Sequence, residues 1–409
     1  MNHTAIALAI FSLTYAVIAA GELPRLRLDR AGAALAGAVA MLVTGALSET
    51  EAWKAVDYRT LSLLLGMMIV VANLRLSGAF AAFARALLLK ARSGPGLLAM
   101  TVAASGVLAA FFINDVVCLA LAPLLIETAQ ALSLDPVPLL LALATASNIG
   151  SAATITGNPQ NMIVAGFAHL RYGRFALQLA PIALIGLAID YAVIAWLYRD
   201  SLARIRRNTS ILRSRRLKVV RPLAVKSALV AGGTLVMFAL GYPTYLVALS
   251  AGSLLLFTRR VRPERVYGLV DWTMLLMFAG LFIVVAGAEA TGFQNDLLAA
   301  VGVARMSNPI VLSVVTAALS NLVSNVPAVL LFRPLYPMLG GGYRTALLIA
   351  SASTLAGNLT VVGSIANLIV IEQARAKRVR ISFTDYLKVG VPVTLLTLAV
   401  SIVILQLGL

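Results

Sequence analysis

The chain is poor in the side chains that most metal and redox chemistry requires. It has one cysteine, Cys118, and two histidines, His3 and His169, in 409 residues. One thiol cannot form a disulfide within the chain, and neither a cysteine nor a histidine cluster can be assembled for a metal. No catalytic residues, no cofactor and no metal site are expected, and the chain does not read as an enzyme. Charge is also scarce, at 12% of residues, and acids are scarcer than bases, 16 against 33, for a formal net charge of +17. A nucleic-acid footprint would gather these bases on one soluble domain. Here they form short runs between apolar stretches: Arg25/Arg27/Arg30, Arg85/Lys90/Arg92, Arg199 to Arg221, Arg259 to Arg265 and Arg375 to Arg380. That is the pattern of the positive-inside rule, and nucleic acid is not an expected partner.

What is abundant is apolar surface. The chain is 60% hydrophobic and its mean hydropathy is +0.93. A soluble domain of this size needs far less, whereas a spanning helix takes ~20 apolar residues. The expected fold is an all-α polytopic membrane protein. The run from Ala5 to Ala20 has no basic segment before it and no convincing cleavage site, so it reads as a first span, not a signal peptide. Further spans are expected over residues 31–47, 60–76, 175–197, 223–240, 244–257, 273–288 and 383–407. Residues 79–92 and 292–303 read as surface segments. Residues 94–132 and 308–339 each read as two apolar arms around a polar tip, and 137–168 and 345–374 as long spans with a polar interruption.

The two halves repeat in residues as well as in hydropathy. Val56-Asp57-Tyr58 matches Val270-Asp271-Trp272, Gly66 matches Gly280, and Gly78 matches Gly292. Asn114 matches Asn325, and Ser147, Gly157 and Asn161 match Ser353, Gly363 and Asn367. The expected units are a first repeat over 1–198, a basic cytoplasmic linker over 199–222 and a second repeat over 223–409. With the N-terminus outside, loops 21–30, 75–92, 199–222, 259–271 and 375–388 all fall inside and hold 25 of the 33 Lys and Arg residues. This requires both hairpins to re-enter on the side where they begin. Each half then crosses five times, and the second half is inverted relative to the first. Both termini are expected to be periplasmic, in a bacterial inner membrane.

Polar, glycine-interrupted segments at matching positions of two halves point to a transporter site near the membrane midplane. The first runs from Ala146 to Asn161, the second from Ala352 to Asn367. Gly150, Gly157 and Asn158-Pro159 disrupt a helix, and Gly357 and Gly363 permit the same break. A break survives at bilayer depth only when buried in protein or lining a wet cavity. The plainer alternative is close helix packing through small residues. The candidate solute-binding residues are Asn114, Ser147, Asn148, Thr154, Asn158, Ser324, Asn325, Ser353, Thr354 and Asn358. Carboxamides both donate and accept hydrogen bonds, so such a lining suits an uncharged hydroxylated solute or a partly desolvated ion. For any single Asn, an ordinary interhelical hydrogen bond is the competing reading. Asp115, beside the first tip, has the apolar counterpart Val326. An Asp at bilayer depth costs ~2.5–3.5 kcal/mol on insertion scales, which makes Asp115 a candidate for proton or sodium coupling. Its alternative is a solvated tip facing a cytoplasmic cavity. Asp190 is a second intramembrane acid, either for coupling or for a structural pairing with another helix. Arg75 and Glu289 close their spans and are expected to snorkel. Cys118 reads as a small apolar residue of a helix arm.

On these motifs the chain resembles the ion transporter superfamily that includes the arsenite permease ArsB, the sodium/proton antiporter NhaD and the divalent-anion/sodium symporters. The residues are Asn114-Asp115, Ser147-Asn148-Ile149-Gly150 through Gly157-Asn158-Pro159-Gln160-Asn161, Ser324-Asn325-Val326-Pro327, and Gly357-Asn358-Leu359-Thr360 through Gly363-Ser364-Ile365-Ala366-Asn367. The resemblance implies alternating access with a scaffold part and a transport part. The dicarboxylate branch has Ser-Asn-Thr at both tips; here the tips read Ile113-Asn114-Asp115 and Ser324-Asn325-Val326. The arsenite permease branch is the better match and implies arsenite or antimonite efflux driven by proton antiport. Sodium-coupled uptake of sulfate or a dicarboxylate, sodium/proton exchange, and a passive channel are the alternatives. The expected partners are a small inorganic solute or anion, a coupling proton or sodium ion and the lipid bilayer. A homodimer is compatible with this architecture.

Overall fold

A computed structural model describes residues 3–21, 28–91, 93–203, 219–295, 299 and 302–408. Most of the basic linker expected at 199–222 lies outside the described residues, as do 296–298, 300 and 301 of the expected surface segment. The described residues form 21 α-helices. In the first half these are α1 (His3–Ala20), α2 (Arg30–Val43), α3 (Glu49–Ala55), α4 (Tyr58–Leu76), α5 (Ala79–Leu88), α6 (Gly94–Phe111), α7 (Asn114–Ala131), α8 (Val137–Ser151), α9 (Pro159–Phe167), α10 (Tyr172–Leu197) and α11 (Arg199–Ala203). In the second they are α12 (Arg221–Ala239), α13 (Thr244–Leu256), α14 (Pro263–Tyr267), α15 (Trp272–Glu289), α16 (Val303–Met306), α17 (Pro309–Val323), α18 (Asn325–Leu335), α19 (Tyr343–Ala356), α20 (Ile365–Ala376) and α21 (Phe383–Leu407). Seven are long and apolar enough to cross a bilayer: α1, α4, α6, α10, α12, α15 and α21.

The halves are built alike and packed crosswise. Helix α4 packs on α13 of the other half, and α15 on α2. These contacts are set by glycine. A Cβ at Gly66 would collide with the backbone carbonyl of Ala248, and one at Gly280 would stand 2.7 Å from the carbonyl carbon of Ala34. Gly66 and Gly280 are repeat-equivalent, and so are Ala34 and Ala248, each 214 positions apart. One close crossing is therefore made twice. With α1 and α12 these helices form one packed group.

The second group holds the hairpins and the interrupted helices. Helices α6 and α7 are the arms of the first hairpin, α17 and α18 those of the second. Arm α6 lies on α8, and α17 on α19; arm α7 lies on α20, and α18 on α9. Each hairpin is thus held between the two interrupted helices. Helices α10 and α21 pack on each other and on α8 and α19.

Two short helices had no signal in the hydropathy. Helix α3 starts with a capping box in which Ser48 and Glu51 bond reciprocally. The Ser48 hydroxyl and backbone N–H hold the Glu51 carboxyl below its ordinary range. Asp57 then caps α4, and its repeat-equivalent Asp271 caps α15. Helix α14 precedes α15 as α3 precedes α4.

Overpacking a backbone-to-backbone contact costs roughly 1–3 kcal/mol. Gly66→Val and Gly280→Val should each lower the melting temperature of purified protein by similar amounts. Gly233→Ala, where an added Cβ meets nothing within 4 Å, should leave it within error. Equal tolerance at all three positions would refute the crossing as the determinant of packing.

Candidate functional site

Both interrupted helices break in the same way. Helix α8 stops at Ala152; Thr154 is extended (φ −137°, ψ 164°), residues 155–157 form one 3-10 turn, and Asn158 is extended again (φ −155°, ψ 160°). Asn158 caps α9 by accepting the Asn161 N–H at 2.8 Å, with Pro159 at the first helical position. In the second half Thr360 and Ser364 take the same extended shapes around a turn over 361–363, and Ser364 caps α20. Proline is therefore dispensable: a side-chain cap and a glycine carry the geometry in both. Gly157 permits backbone contact with the Ser151 carbonyl, and Gly363 stands against Asn321 Oδ1 and the Gly357 carbonyl.

The breaks are stitched to each other by carboxamides. Asn148 is the hub. Its Nδ2 donates to Asn358 Oδ1 at 2.8 Å and to Asn367 Oδ1 at 3.0 Å. Its Oδ1 accepts from Asn114 Nδ2 at 2.9 Å and from Ser364 Oγ at 3.0 Å. Asn358 donates onward to the Thr145 carbonyl at 3.2 Å. Asn161 and Asn367 are equivalent and do the same work: Asn161 donates to the Ser151 and Thr154 carbonyls, Asn367 to the Gly357 and Thr360 carbonyls. These are the carbonyls that the breaks leave without helical partners. A third stitch runs through Thr354, which accepts from Asn158 Nδ2 and Gln160 Nε2 and donates to Asn161 Oδ1, all at 3.2 Å.

The hairpin tips close over this lattice. Asn114 reaches Asn148 of its own half, as above. Asn325 faces Ser320 Oγ, the Ser353 carbonyl and the Gly363 carbonyl; with its amide nitrogen toward them it donates at 2.7, 3.2 and 3.2 Å. Ser324 precedes it with φ +77° and ψ 156°, a region that suits glycine and strains serine.

Between the tips lies a small pocket of about 30 Å³, lined by Asn114, Asp115, Gln160, Ser324, Asn325 and Ser364, with Met274, Met277 and Phe278 of α15 as its apolar wall. That volume holds one or two waters. No Lys or Arg lines it, and Asp115, half-buried, is its one ionisable group. The pocket meets a larger cavity of about 550 Å³ that shares Met274, Met277, Ser324 and Ile365 with it and carries Asp29, Arg30 and Asp271. A third cavity of about 250 Å³, around Arg59, His169 and Tyr242, shares no lining residue with the tip pocket.

The residues singled out in the sequence thus divide. Asn114, Asp115, Ser324 and Asn325 border the pocket. Asn148, Asn158, Thr354 and Asn358 lie behind it in the lattice. Ser147 and Ser353 donate back to the Ala144 and Ala350 carbonyls, and Thr154 donates to the Ala110 carbonyl of α6. Cys118 is buried with its Sγ 3.0 Å from Ser147 Oγ, away from the pocket lining. Asp190 is buried on α10, apart from the tips, and no cation pairs with it among the described residues. Sequence reasoning missed Gln160, Ser364 and the methionine wall. Gln160 and Ser364 had a signal in their proximity to the breaks; Met274 and Met277 look like any lipid-facing pair.

The family described as citrate transporter, CitMHS, matches residues 13–340. The silicon efflux transporter LSI3 of Oryza sativa subsp. japonica is 29% identical, over 93% of each chain. A putative transporter arsB of Dictyostelium discoideum is 24% identical, over 93% of this chain and 88% of its own length. Among solved structures, the YdaH transporter of Alcanivorax borkumensis, described as having an unusual topology, covers 100% of this chain and 98% of its own, with a TM-score of 0.64 at 17% identity.

Asn148 makes four side-chain bonds, so Asn148→Ala leaves several buried groups unpaired at ~1–3 kcal/mol each. It should produce the largest loss of melting temperature of any lattice substitution, well beyond that of Ser147→Ala. Ser324→Gly should stabilise the protein by about 1 kcal/mol by relieving the backbone. A neutral Asn148→Ala or a destabilising Ser324→Gly would refute these roles.

Proposed function

The chain belongs to the CitMHS citrate transporter family of membrane transporters, and from that premise we propose that it exports arsenite or antimonite in exchange for protons. The observation that carries this reading is the lining of the tip pocket: carboxamides and hydroxyls, one carboxylate and no cation. A multivalent anion such as citrate would meet Asp115 and no compensating positive side chain there. The trihydroxides of arsenic and antimony are uncharged at neutral pH, compact, and covered with hydroxyls that both donate and accept. They suit Asn114, Asn325, Gln160, Ser324 and Ser364 by the same hydrogen-bond logic. Silicic acid has the same chemistry, and a silicon efflux transporter is among the similar proteins.

Asp115 is the coupling group in this reading. It lines the tip pocket, which shares Met274, Met277, Ser324 and Ile365 with the wide cavity that carries Asp271. The wide cavity is bordered by residues of loops 21–30 and 259–271, which the distribution of basic residues assigns to the cytoplasm. The conformation is then open inward, with solute entering from the cytoplasm and both termini in the periplasm. The two repeats, 1–198 and 223–409, are inverted copies. Helices α2, α4, α13 and α15 form the scaffold, and the hairpins with the interrupted helices form the moving part.

The test is growth of an efflux-deficient bacterial strain expressing this chain, on arsenite, on high sodium and on citrate as carbon source. Protection against arsenite is expected, reduced at least tenfold in effective concentration by Asn114→Ala and by Asn325→Ala at equal membrane abundance. No arsenite protection, with citrate uptake or sodium tolerance instead, would refute the export reading.

A further inference from the structure

Asp190 lies outside the tip pocket and is one of the most enclosed polar groups in the molecule. Its relative exposure is 0%, and neither carboxyl oxygen has a hydrogen-bond partner. It faces Thr145 of α8 and Tyr386 of α21. The Tyr386 hydroxyl is itself buried and unpartnered, and so is the Thr394 hydroxyl, two turns further along α21. Thr394 shares this with Thr316 of α17. Thr145, Thr234 and Thr397 donate back to the carbonyl one turn earlier, as helical threonines commonly do, and Thr394 does not. The registers agree: Gly186 of α10 meets Thr397 of α21, and Asp190 lies toward Tyr386, so the contacts run in opposite chain directions and bring Asp190 level with Val393 and Thr394.

The ionisable groups on the elements packed against α10 are committed elsewhere. Lys388 pairs with Asp385, and Arg199 with Asp200. Lys226 donates to the Leu254 and Phe257 carbonyls, and Arg174 lies over the Tyr343 ring. Arg344 stands beside Gly408, and Arg221 is exposed at the start of α12. Helices α6 and α8 bring no ionisable group. Of the ionisable groups on these elements, Tyr386 is the one near Asp190, and Cys118 is near Tyr386. An ionised carboxylate there has no compensating charge, and the nearby Thr145 hydroxyl is already given to the Leu141 carbonyl, a costly arrangement for a buried charge.

The place is nevertheless connected to the centre. The Thr145 carbonyl accepts from Asn358, which accepts from Asn148, which accepts from Asn114 at the tip. Tyr386 faces Asn367, which also accepts from Asn148. Gly390 of α21 lets that helix touch the carbonyl of Asn358 at the second break. Both routes from Asp190 thus end on the hub of the lattice.

We propose that Asp190, with the hydroxyls of Tyr386 and Thr394, is a second proton-binding site whose occupancy is read by the Asn148 lattice. A proton from the aqueous phase forms the carboxylic acid; its O–H donates to the Tyr386 or Thr394 oxygen, and the other hydroxyl donates to the carbonyl oxygen of the acid. Loss of the proton leaves a carboxylate that draws both hydroxyls, pulling α21 toward α10 and away from the second break. The site deepens the transport reading, because it supplies a proton carrier apart from the solute pocket.

The experiment needs no solute, so its outcome is separate from that of the export assay. Infrared spectra of the purified full chain in lipid nanodiscs are recorded in H2O and D2O at neutral pH. Wild type should show a carboxylic-acid C=O band that shifts on deuteration. The band should be lost in Asp190→Asn, retained in Asp115→Asn, and shifted in both Tyr386→Phe and Thr394→Val. A spectrum unchanged by Asp190→Asn overturns the proposal. So does a saturable rise in melting temperature with sodium that Asp190→Asn abolishes, since that would make the occupant a metal cation. Should Asp190→Asn fail to fold, the Tyr386→Phe and Thr394→Val spectra decide: bands at the wild-type position in both overturn it.

Discussion

Hydrocarbon offers no hydrogen bonds, so a helix can be broken at membrane depth only if the protein supplies them. The rest of this structure depends on how that is done. Asn161 and Asn367 hold the carbonyls that each break exposes. Asn148 then ties the first break to the second and to a hairpin tip. Each break's exposed carbonyls are thus held by an asparagine of its own half, while the bonds of Asn148 and Thr354 join one half to the other. Beside the breaks, Gln160 and Ser364 line the small polar pocket that the proposed function takes as the solute site.

The repeat sets a symmetric frame, and the tip pocket departs from it. The Gly66–Ala248 and Gly280–Ala34 crossings are the same contact made twice, and so are the Asn161 and Asn367 anchors. Yet Asp115 faces Val326 across the repeat, and Asn158-Pro159 faces Ser364-Ile365. One half thus carries the carboxylate and the other a neutral tip with a strained serine. In the proposed reading, a tip pocket with one carboxylate and no cation suits a neutral solute better than it suits a multivalent anion.

Much of this was legible in the sequence. Hydropathy runs marked the long helices to within a few residues, because a spanning helix needs a length that loops do not. The breaks were legible from glycine and polar density where lipid should allow neither. The two tips were legible from Asn114 and Asn325 at matching offsets. Helices α3 and α14 were not, since seven and five residues make too short a run to show a period. Nor was the division between pocket and lattice. Asn148 and Asn114 are the same residue type in similar surroundings, and which of them borders the pocket depends on the interdigitation of two segments some 200 positions apart. The hydroxyl of Thr394 was invisible for the same reason: only the fold shows that it makes no bond to its own helix.

The central claim is that an uncharged hydroxide passes the tip pocket against a proton. Proteoliposomes containing the purified chain and a trapped pH indicator test it most directly. Arsenite applied on one side should drive net proton movement in the opposite direction, with equal response in sodium and in potassium media and none in Asn114→Ala. Arsenite-independent proton movement on adding sodium, or accumulation of citrate with no response to arsenite, would contradict the account.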